Sequence, residues 1–149
     1  MFKNILFVCV GNICRSPTAE YWAKNELQKA GVTDVCVASA GLHAMKLSPI
    51  APEAKLILDR YDVDTSEHRA KQIENKEVTS AEMILTMENW QVEKLLLAFP
   101  QCRGKIFCLG KWSNEEISDP YRKDQRFFEE MFEAIRKHWS VWQRKLWNV

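Results

Sequence analysis

The stretch Ile5-Leu6-Phe7-Val8-Cys9-Val10-Gly11-Asn12-Ile13-Cys14-Arg15-Ser16-Pro17 decides the fold of this chain. Its first four residues form an apolar run typical of a buried strand, and apolar residues recur at helical spacing from Thr18 to Ala30. A tight turn therefore joins a strand to a helix. Backbone N–H groups at such a turn point toward one spot, and the helix N-terminus adds partial positive charge there. The stretch predicts an anion-binding loop after the first strand.

The turn also carries a cysteine and an arginine, Cys9 and Arg15, separated by five residues. The positive environment favours the thiolate, which is the nucleophilic form of cysteine. The guanidinium of Arg15 presents a planar fork that fits two oxygens of a phosphate group. These residue types in this pattern indicate hydrolysis of a phosphate monoester through a cysteinyl-phosphate.

Strands and helices alternate along the rest of the chain. We expect strands at about residues 4–9, 35–39, 83–87 and 106–109, and helices at about 17–30, 48–61, 89–98 and 124–147. Ser16 is expected to cap the first helix, and Gly31 to end it. The alternation predicts an α/β fold, a single domain over residues 1–149 with an open parallel sheet of about four strands and helices on both faces. Cys9 would then lie at the carboxyl edge of the sheet, where such folds bind ligands.

Composition limits the classes of binding partner and the cellular compartment to be expected for this chain. The net charge of +1 favours neither nucleic acid nor a membrane surface as the main partner. The N-terminus lacks the pattern of a signal peptide and no apolar run approaches 18 residues, so we expect no membrane insertion. The five cysteines are odd in number, which argues against structural disulfides, so we expect a location in the reducing cytoplasm. Their spacing does not suit zinc. We expect no metal and no cofactor.

Three motifs together resemble the bacterial branch of the low-molecular-weight protein tyrosine phosphatases. They are the loop at residues 9–17, Ser39-Ala40-Gly41 after the second strand, and Asp119-Pro120-Tyr121 after the fourth, and they occur in the order and spacing of that family. The resemblance implies that Cys9 is the nucleophile and that Arg15 grips the phosphoryl oxygens. It implies that Asp119 protonates the leaving phenolate and then activates water as a base.

The resemblance implies further roles around the loop. Loop residues expected to bind substrate are Val10, Gly11, Asn12, Ile13, Cys14 and Ser16, and those expected at the mouth of the pocket are Leu42, His43 and Tyr121. Ser39 and His68 are expected to join Asn12 and Ser16 in a supporting hydrogen-bond network. Cys14 is expected to capture an oxidised Cys9 as a disulfide and so protect the nucleophile.

Two other functions suit parts of this pattern. An arsenate reductase uses the same fold and loop, but its thioredoxin-coupled form needs two more cysteines near the third strand, and none occurs between Cys36 and Cys102. The second alternative is a non-catalytic phosphotyrosine-binding module. Such a module could lose Cys9, Arg15 or Asp119, whereas this chain keeps all three. We therefore expect a phosphatase that prefers phosphotyrosine to phosphoserine. Its expected partner is a phosphotyrosine protein such as a tyrosine autokinase that controls capsule or exopolysaccharide export.

Overall fold

The four predicted apolar runs form four strands in the computed structural model, which describes residues 2–149. The strands are β1 (Asn4–Cys9), β2 (Cys36–Gly41), β3 (Met83–Thr86) and β4 (Ile106–Cys108). The helices are α1 (Arg15–Lys29), α2 (Pro52–Asp59), α3 (Asn75–Ser80), α4 (Asn89–Ala98) and α5 (Gln125–Trp147), and two short 3-10 turns lie at Pro100–Cys102 and Lys111–Ser113. The predicted alternation of strands and helices is confirmed.

The strands pair in the order β2-β1-β3-β4, and every neighbouring pair is parallel. The chain thus winds outward from β1 in one direction to β2 and in the other to β3 and β4. Ligand crevices in open α/β sheets lie where the winding direction reverses, outside the carboxyl ends of the strands. Cys9 ends β1, opposite Gly41 of β2. The topology therefore places the cysteine loop in that crevice.

Side chains of β1 alternate between two hydrophobic clusters, as expected for a strand buried on both faces. Ile5 and Phe7 pack with residues of α1, α2 and α5, and Phe7 meets Trp139 edge to face with ring centroids 5.7 Å apart. Leu6 and Val8 pack on the opposite face with residues of α3 and α4. Helices on both faces of the sheet are thus confirmed.

The first helix begins earlier than predicted, and Ser16 does not cap it. Cys14 occupies the N-cap position without a side-chain cap, and Ser16 lies inside the first turn. Its hydroxyl is buried and turned toward Cys9, so it is committed to the site and not to the helix end. Gly31 ends the helix as predicted: its φ is +75° and its N–H donates to the carbonyl of Gln28.

Two other helices depart from the expectation. The second begins only at Pro52, because a residue that precedes proline is disfavoured in the helical region, and Ala51 accordingly has ψ of 136°. Helix α3 was not predicted. It is six residues long and is closed at its start by a reciprocal capping box of Glu74 and Glu77.

The longest helix, α5, is amphipathic. Its buried face includes Phe128, Phe132, Ile135 and Trp139, whereas lysine, arginine and glutamate side chains cover much of the opposite face. Within residues 2–149, none of the helices combines the length and the apolar character that crossing a bilayer requires.

Candidate active site

The loop after β1 is held by hydrogen bonds to its carbonyl groups. The five carbonyl oxygens of residues 9–13 accept, in chain order, from Leu42 N, His43 N, Met45 N, His68 Nε2 and Ala51 N, at distances of 2.9, 2.9, 3.0, 2.8 and 2.8 Å. In a trans peptide the N–H of the next residue points opposite to the carbonyl. Since these carbonyls face the surrounding protein, the N–H groups of residues 10–14 face the opposite side. The loop is thereby built as a cradle of amide donors.

Cys9 lies at the bottom of this cradle and is buried. Its Sγ is 2.9 Å from the hydroxyl oxygen of Ser16, and it accepts the backbone N–H of Ser16 at 3.3 Å. Ser16 belongs to the first turn of the 15-residue helix α1, so the sulfur also faces a helix N-terminus. These contacts suit a thiolate, which accepts hydrogen bonds and carries negative charge.

Asn12 orders the loop from within. It adopts a left-handed backbone with φ of +59°, a conformation that asparagine tolerates better than most residues. Its side-chain amide donates to the hydroxyl oxygens of Ser16 and Ser39 at 2.8 and 2.9 Å, and its Oδ1 accepts from the N–H of Lys71 at 2.9 Å. Because Asn12 occupies a lone pair of Ser16, the hydroxyl proton of Ser16 is available to Cys9.

The network extends outward from Asn12 to His68 and Glu20. His68 is buried, and its Nε2 carries the proton toward the carbonyl of Asn12 because a carbonyl oxygen can only accept. Ser39 donates its own hydroxyl proton to Glu20 at 2.6 Å. Glu20 is a buried carboxylate that we did not predict, and it also pairs with Lys24 one turn along α1. The structure thus brings together the four predicted members of the network and adds a charged member.

Arg15 is buried and fully engaged on one side of its guanidinium. Its Nη1 donates to the carboxylate of Glu88 and, at 2.8 Å, to the carbonyl of Ile117. Its Nη2 lies 3.6 Å from Oδ2 of Asp119. Glu88 was not predicted either, since it lies 73 residues from Arg15 and no local pattern marks it. These contacts fix the plane of the guanidinium and place it between the cysteine loop and the segment that carries Asp119.

The predicted catalytic residues meet in one cavity of about 330 Å³. Cys9, Arg15 and Asp119 line it together with Tyr121, although Asp119 follows Cys9 by more than a hundred residues. The remaining lining residues are Val10, Gly11, Ile13, Cys14, His43 and Met45. The cavity therefore combines a nucleophile, a cationic fork, a carboxyl group and an apolar wall.

One residue predicted at the mouth does not lie there. Leu42 is buried in the cluster that also contains Leu6 and Val8 on the far face of the sheet. Its N–H continues the pairing of β2 with Cys9, so the strand alternation turns its side chain inward. Met45, three residues further on, takes the place expected for it and is exposed at the rim.

Asn12 and Ser16 were predicted to contact substrate, yet they do not line the cavity. Both are fully buried beneath its floor, where they bond to each other and, through Ser16, to Cys9. Their side chains can therefore act on a bound phosphate only by shaping the loop and hydrogen bonding to the sulfur. The backbone N–H of Asn12 belongs to the cradle of amide donors, and binding of substrate through the loop backbone stays a prediction.

Cys14 lines the same cavity as Cys9. Burial, together with the negative charges of Cys9, Asp119 and Glu53, raises the pKa of the Cys14 thiol to about 12, while Arg15 acts in the opposite direction. The five cysteines are all free thiols. Within the described residues 2–149, no cluster of three or more histidine, cysteine or acidic side chains has the arrangement of a metal site.

A sheet edge that joins a cysteine, an amide cradle, a buried arginine and a nearby aspartic acid defines a phosphate-monoester site of the cysteine-nucleophile class. The family model described as low molecular weight phosphotyrosine protein phosphatase matches residues 4–148. The chain belongs to this family.

Relatives and solved structures agree with this assignment. The chain is 38% identical to the probable low molecular weight protein-tyrosine-phosphatase EpsP of Ralstonia nicotianae, over 95% of this chain and 94% of the relative. It is also 38% identical to Wzb of Escherichia coli K12, over 98% and 97%.

Among solved structures, the Erwinia amylovora tyrosine phosphatase AmsI superposes with a TM-score of 0.91 at 33% identity, covering 99% of this chain and 95% of that one. The arginine phosphatase YwlE of Geobacillus stearothermophilus superposes with a TM-score of 0.79 at 25% identity, covering 98% and 97%. The fold is therefore shared by enzymes named for two different phosphorylated side chains.

Proposed function

We propose that this protein is a protein tyrosine phosphatase that hydrolyses phosphotyrosine through a phosphocysteine intermediate. The observation that carries the proposal is the meeting of Cys9, Arg15 and Asp119 in one cavity at the carboxyl edge of the sheet. The amide donors of the loop and the guanidinium of Arg15 suit the three non-bridging oxygens of a phosphate monoester. The family assignment supports the same activity.

In the first step the Cys9 thiolate attacks phosphorus, an S–P bond forms and the P–O bond to the tyrosyl oxygen breaks. Asp119 gives its proton to that oxygen, so that a neutral phenol departs instead of a phenolate. Ser16 stabilises the sulfur before the attack through its hydroxyl and backbone N–H. Arg15 and the loop amides balance the charge of the transferring phosphoryl group.

In the second step water attacks the phosphocysteine. Asp119, now a carboxylate, takes a proton from the water, the O–P bond forms and the S–P bond breaks. Inorganic phosphate leaves and the Cys9 thiolate is restored, again stabilised by Ser16. The same carboxyl group thus serves as acid and then as base, as its place at the cavity wall allows.

The test combines substitution with trapping of the intermediate. We expect Cys9→Ser to abolish hydrolysis of phenyl phosphate, whereas the unchanged protein should yield a labelled phosphoprotein on acid quench. Asp119→Asn is expected to lower kcat/KM by about 10²–10⁴-fold, the usual contribution of a general acid. Turnover by Cys9→Ser, or its absence in the reduced unchanged protein, would contradict the proposal; the second result would favour a phosphotyrosine-binding module.

The cavity wall favours an aromatic ester. Ile13, Met45 and the ring of Tyr121 form an apolar wall beside Cys9, and an aromatic ring gains most from such a surface. We therefore expect kcat/KM for a phosphotyrosine peptide to exceed that for the matched phosphoserine and phosphoarginine peptides by at least about 100-fold. A kcat/KM for the phosphoserine or the phosphoarginine peptide comparable to that for the phosphotyrosine peptide would refute the preference.

The physiological substrate we propose is a bacterial tyrosine autokinase linked to capsule or exopolysaccharide production, met in the cytoplasm. The support is the match to the bacterial phosphatases named EpsP and Wzb along nearly the whole chain. The trapping variants Cys9→Ser and Asp119→Ala should retain phosphorylated autokinase from the native cell, and vanadate should release it. Retention of other phosphoproteins without any autokinase would refute this assignment.

We also propose that Cys14 protects Cys9 from irreversible oxidation. Peroxide converts the Cys9 thiolate to a sulfenic acid; the sulfur of Cys14 then forms an S–S bond, the S–O bond breaks and water leaves. Both cysteines line the same cavity, which supports this pairing. After peroxide treatment, thiol reductant should restore the unchanged protein much better than Cys14→Ala. Equal recovery would refute the role.

A further inference from the structure

The segment that carries Asp119 is attached to the beginning of α4 just before the aspartate. The carboxylate of Glu116 accepts the backbone N–H of Asn89 at 2.6 Å. One residue later, the N–H of Ile117 donates to the carbonyl of Met87 at 3.0 Å. Two consecutive residues are thus fastened to Met87, which directly follows β3, and to the first residue of α4.

The bonds that follow Asp119 lie within its own turn. The N–H of Tyr121 donates to Oδ1 of Asp119 at 3.1 Å, and the N–H of Lys123 donates to the carbonyl of Pro120 at 2.9 Å. These contacts set the shape of the turn but do not tie it to the cysteine loop. Besides the Arg15 guanidinium 3.6 Å from its carboxylate, the direction in which Asp119 faces Cys9 therefore depends on the attachment that precedes it.

We propose that Glu116 is a positioning residue for Asp119. Asn89 is the first residue of a ten-residue helix, and its N–H belongs to the first turn, whose donors have no acceptor within the helix. A carboxylate at that place satisfies the donor and interacts favourably with the helix dipole. The inference rests on the proposed function, in which Asp119 is the general acid.

The same helix start also fixes Arg15. Glu88, the residue before Asn89, accepts from the guanidinium, and Ile117, the residue after Glu116, accepts from it through its carbonyl. Arg15 and the segment that carries Asp119 are therefore both held by hydrogen bonds to the short stretch 87–89. Glu116 completes this arrangement on the side of Asp119.

The effect of Glu116 is separable from a general loss of structure, because Glu116 is exposed and a substitution there leaves the core intact. Glu116→Ala should lower kcat/KM for phenyl phosphate about fivefold, a small part of the about 10²–10⁴-fold that a general acid contributes. For 2,4-dinitrophenyl phosphate, whose leaving group departs without a proton, kcat/KM should stay unchanged. Glu116→Gln should recover most of the loss, since its amide oxygen can still accept from Asn89.

The matched control is Glu115→Ala. Glu115 is the adjacent exposed carboxylate, but it pairs with Lys137 of α5 at 2.9 Å instead of with α4. Its removal subtracts the same charge from the same segment. The ratio of kcat/KM for phenyl phosphate to kcat/KM for 2,4-dinitrophenyl phosphate should stay unchanged. Thermal unfolding of each variant establishes that all are folded under assay conditions.

Asp119→Asn is the reference for loss of the acid and should show the same substrate dependence at larger amplitude. An equal loss on both substrates in Glu116→Ala, or no loss on either, would overturn the positioning role. If Asp119→Asn itself shows no dependence on the leaving group, the proposed acid fails and the inference fails with it. If only Glu116→Ala lacks that dependence, the proposed function stands and the inference alone is refuted.

Discussion

Glu88 and Arg15 form a pair whose rupture should be measurable as a loss of stability. The Arg15 side chain is 2% exposed and that of Glu88 is 25% exposed. The substitution Glu88→Gln keeps the shape and an acceptor oxygen but removes the negative charge. The guanidinium then remains buried with neutral acceptors, Ile117 among them, and with Asp119 at 3.6 Å.

The structure sets the size of the effect. Breaking a buried ion pair by removing one partner costs about 3–5 kcal/mol. Glu88 is partly hydrated and the glutamine still accepts, so the cost falls toward that of one charge-assisted hydrogen bond, about 2 kcal/mol. For a chain of this length, such a change lowers Tm by about 4–8 °C.

A double-mutant cycle isolates the charge. Urea unfolding is measured for the unchanged protein, Glu88→Gln, Arg15→Met and the double variant, in buffer without phosphate. We expect Glu88→Gln to lower the free energy of unfolding by about 2 kcal/mol when Arg15 is present. In the Arg15→Met variant the loss should be less than about 0.5 kcal/mol, because the buried cation is then absent. An equal cost in both backgrounds would refute the reasoning and assign the effect to the start of α4.

Three further outcomes follow from particular contacts. Gly41→Ala would place a methyl group 2.6 Å from the carbonyl oxygen of Val10, so the loop must shift, and competitive inhibition by inorganic phosphate should weaken about tenfold. Burial lowers the pKa of His138 from 6.5, so the unfolded chain takes up the proton first. Stability is therefore lost as pH falls below about 6.5, and urea unfolding of His138→Gln should show less of this loss. Because the pKa of Cys14 is raised to about 12, the attacking thiolate becomes about ten times more abundant with each pH unit from 7 to 9, and disulfide closure with oxidised Cys9 should accelerate in proportion. Mass spectrometry follows the closure, and a rate independent of pH would contradict thiolate attack.

The fold was largely predictable because its main elements are marked locally. The run before Cys9 is continuous and apolar, and α5 repeats apolar residues at three- and four-residue steps over 23 residues. Helix α3 has no such mark, since only Val78 of its six residues is buried. The order of the strands was not predicted, because it depends on which side each crossover takes and not on any one segment.

The residues of the site likewise differ in whether a local sequence pattern marks them. Cys9 and Arg15 were accessible to prediction because one turn holds both of them, and Asp119 because it stands in a motif. Glu88 and Glu116 carry no motif, and their partners lie 73 and 27 residues away in the chain. Pairings of this kind arise only when β3, α4 and the segment before Asp119 converge at one edge of the sheet.

The demands on Arg15 explain why this position needs a guanidinium. Nη1 has two hydrogens, and both are used, one by Glu88 and one by the carbonyl of Ile117. Three hydrogens remain on Nε and Nη2, on the part of the fork that reaches Asp119 and the cavity. A lysine ammonium has three donors on a single atom and could not hold these protein contacts while presenting two parallel donors to a phosphate. The buried arginine thus joins the cysteine loop to the segment that carries Asp119, and in the proposed mechanism the geometry that binds phosphate also places the acid beside it.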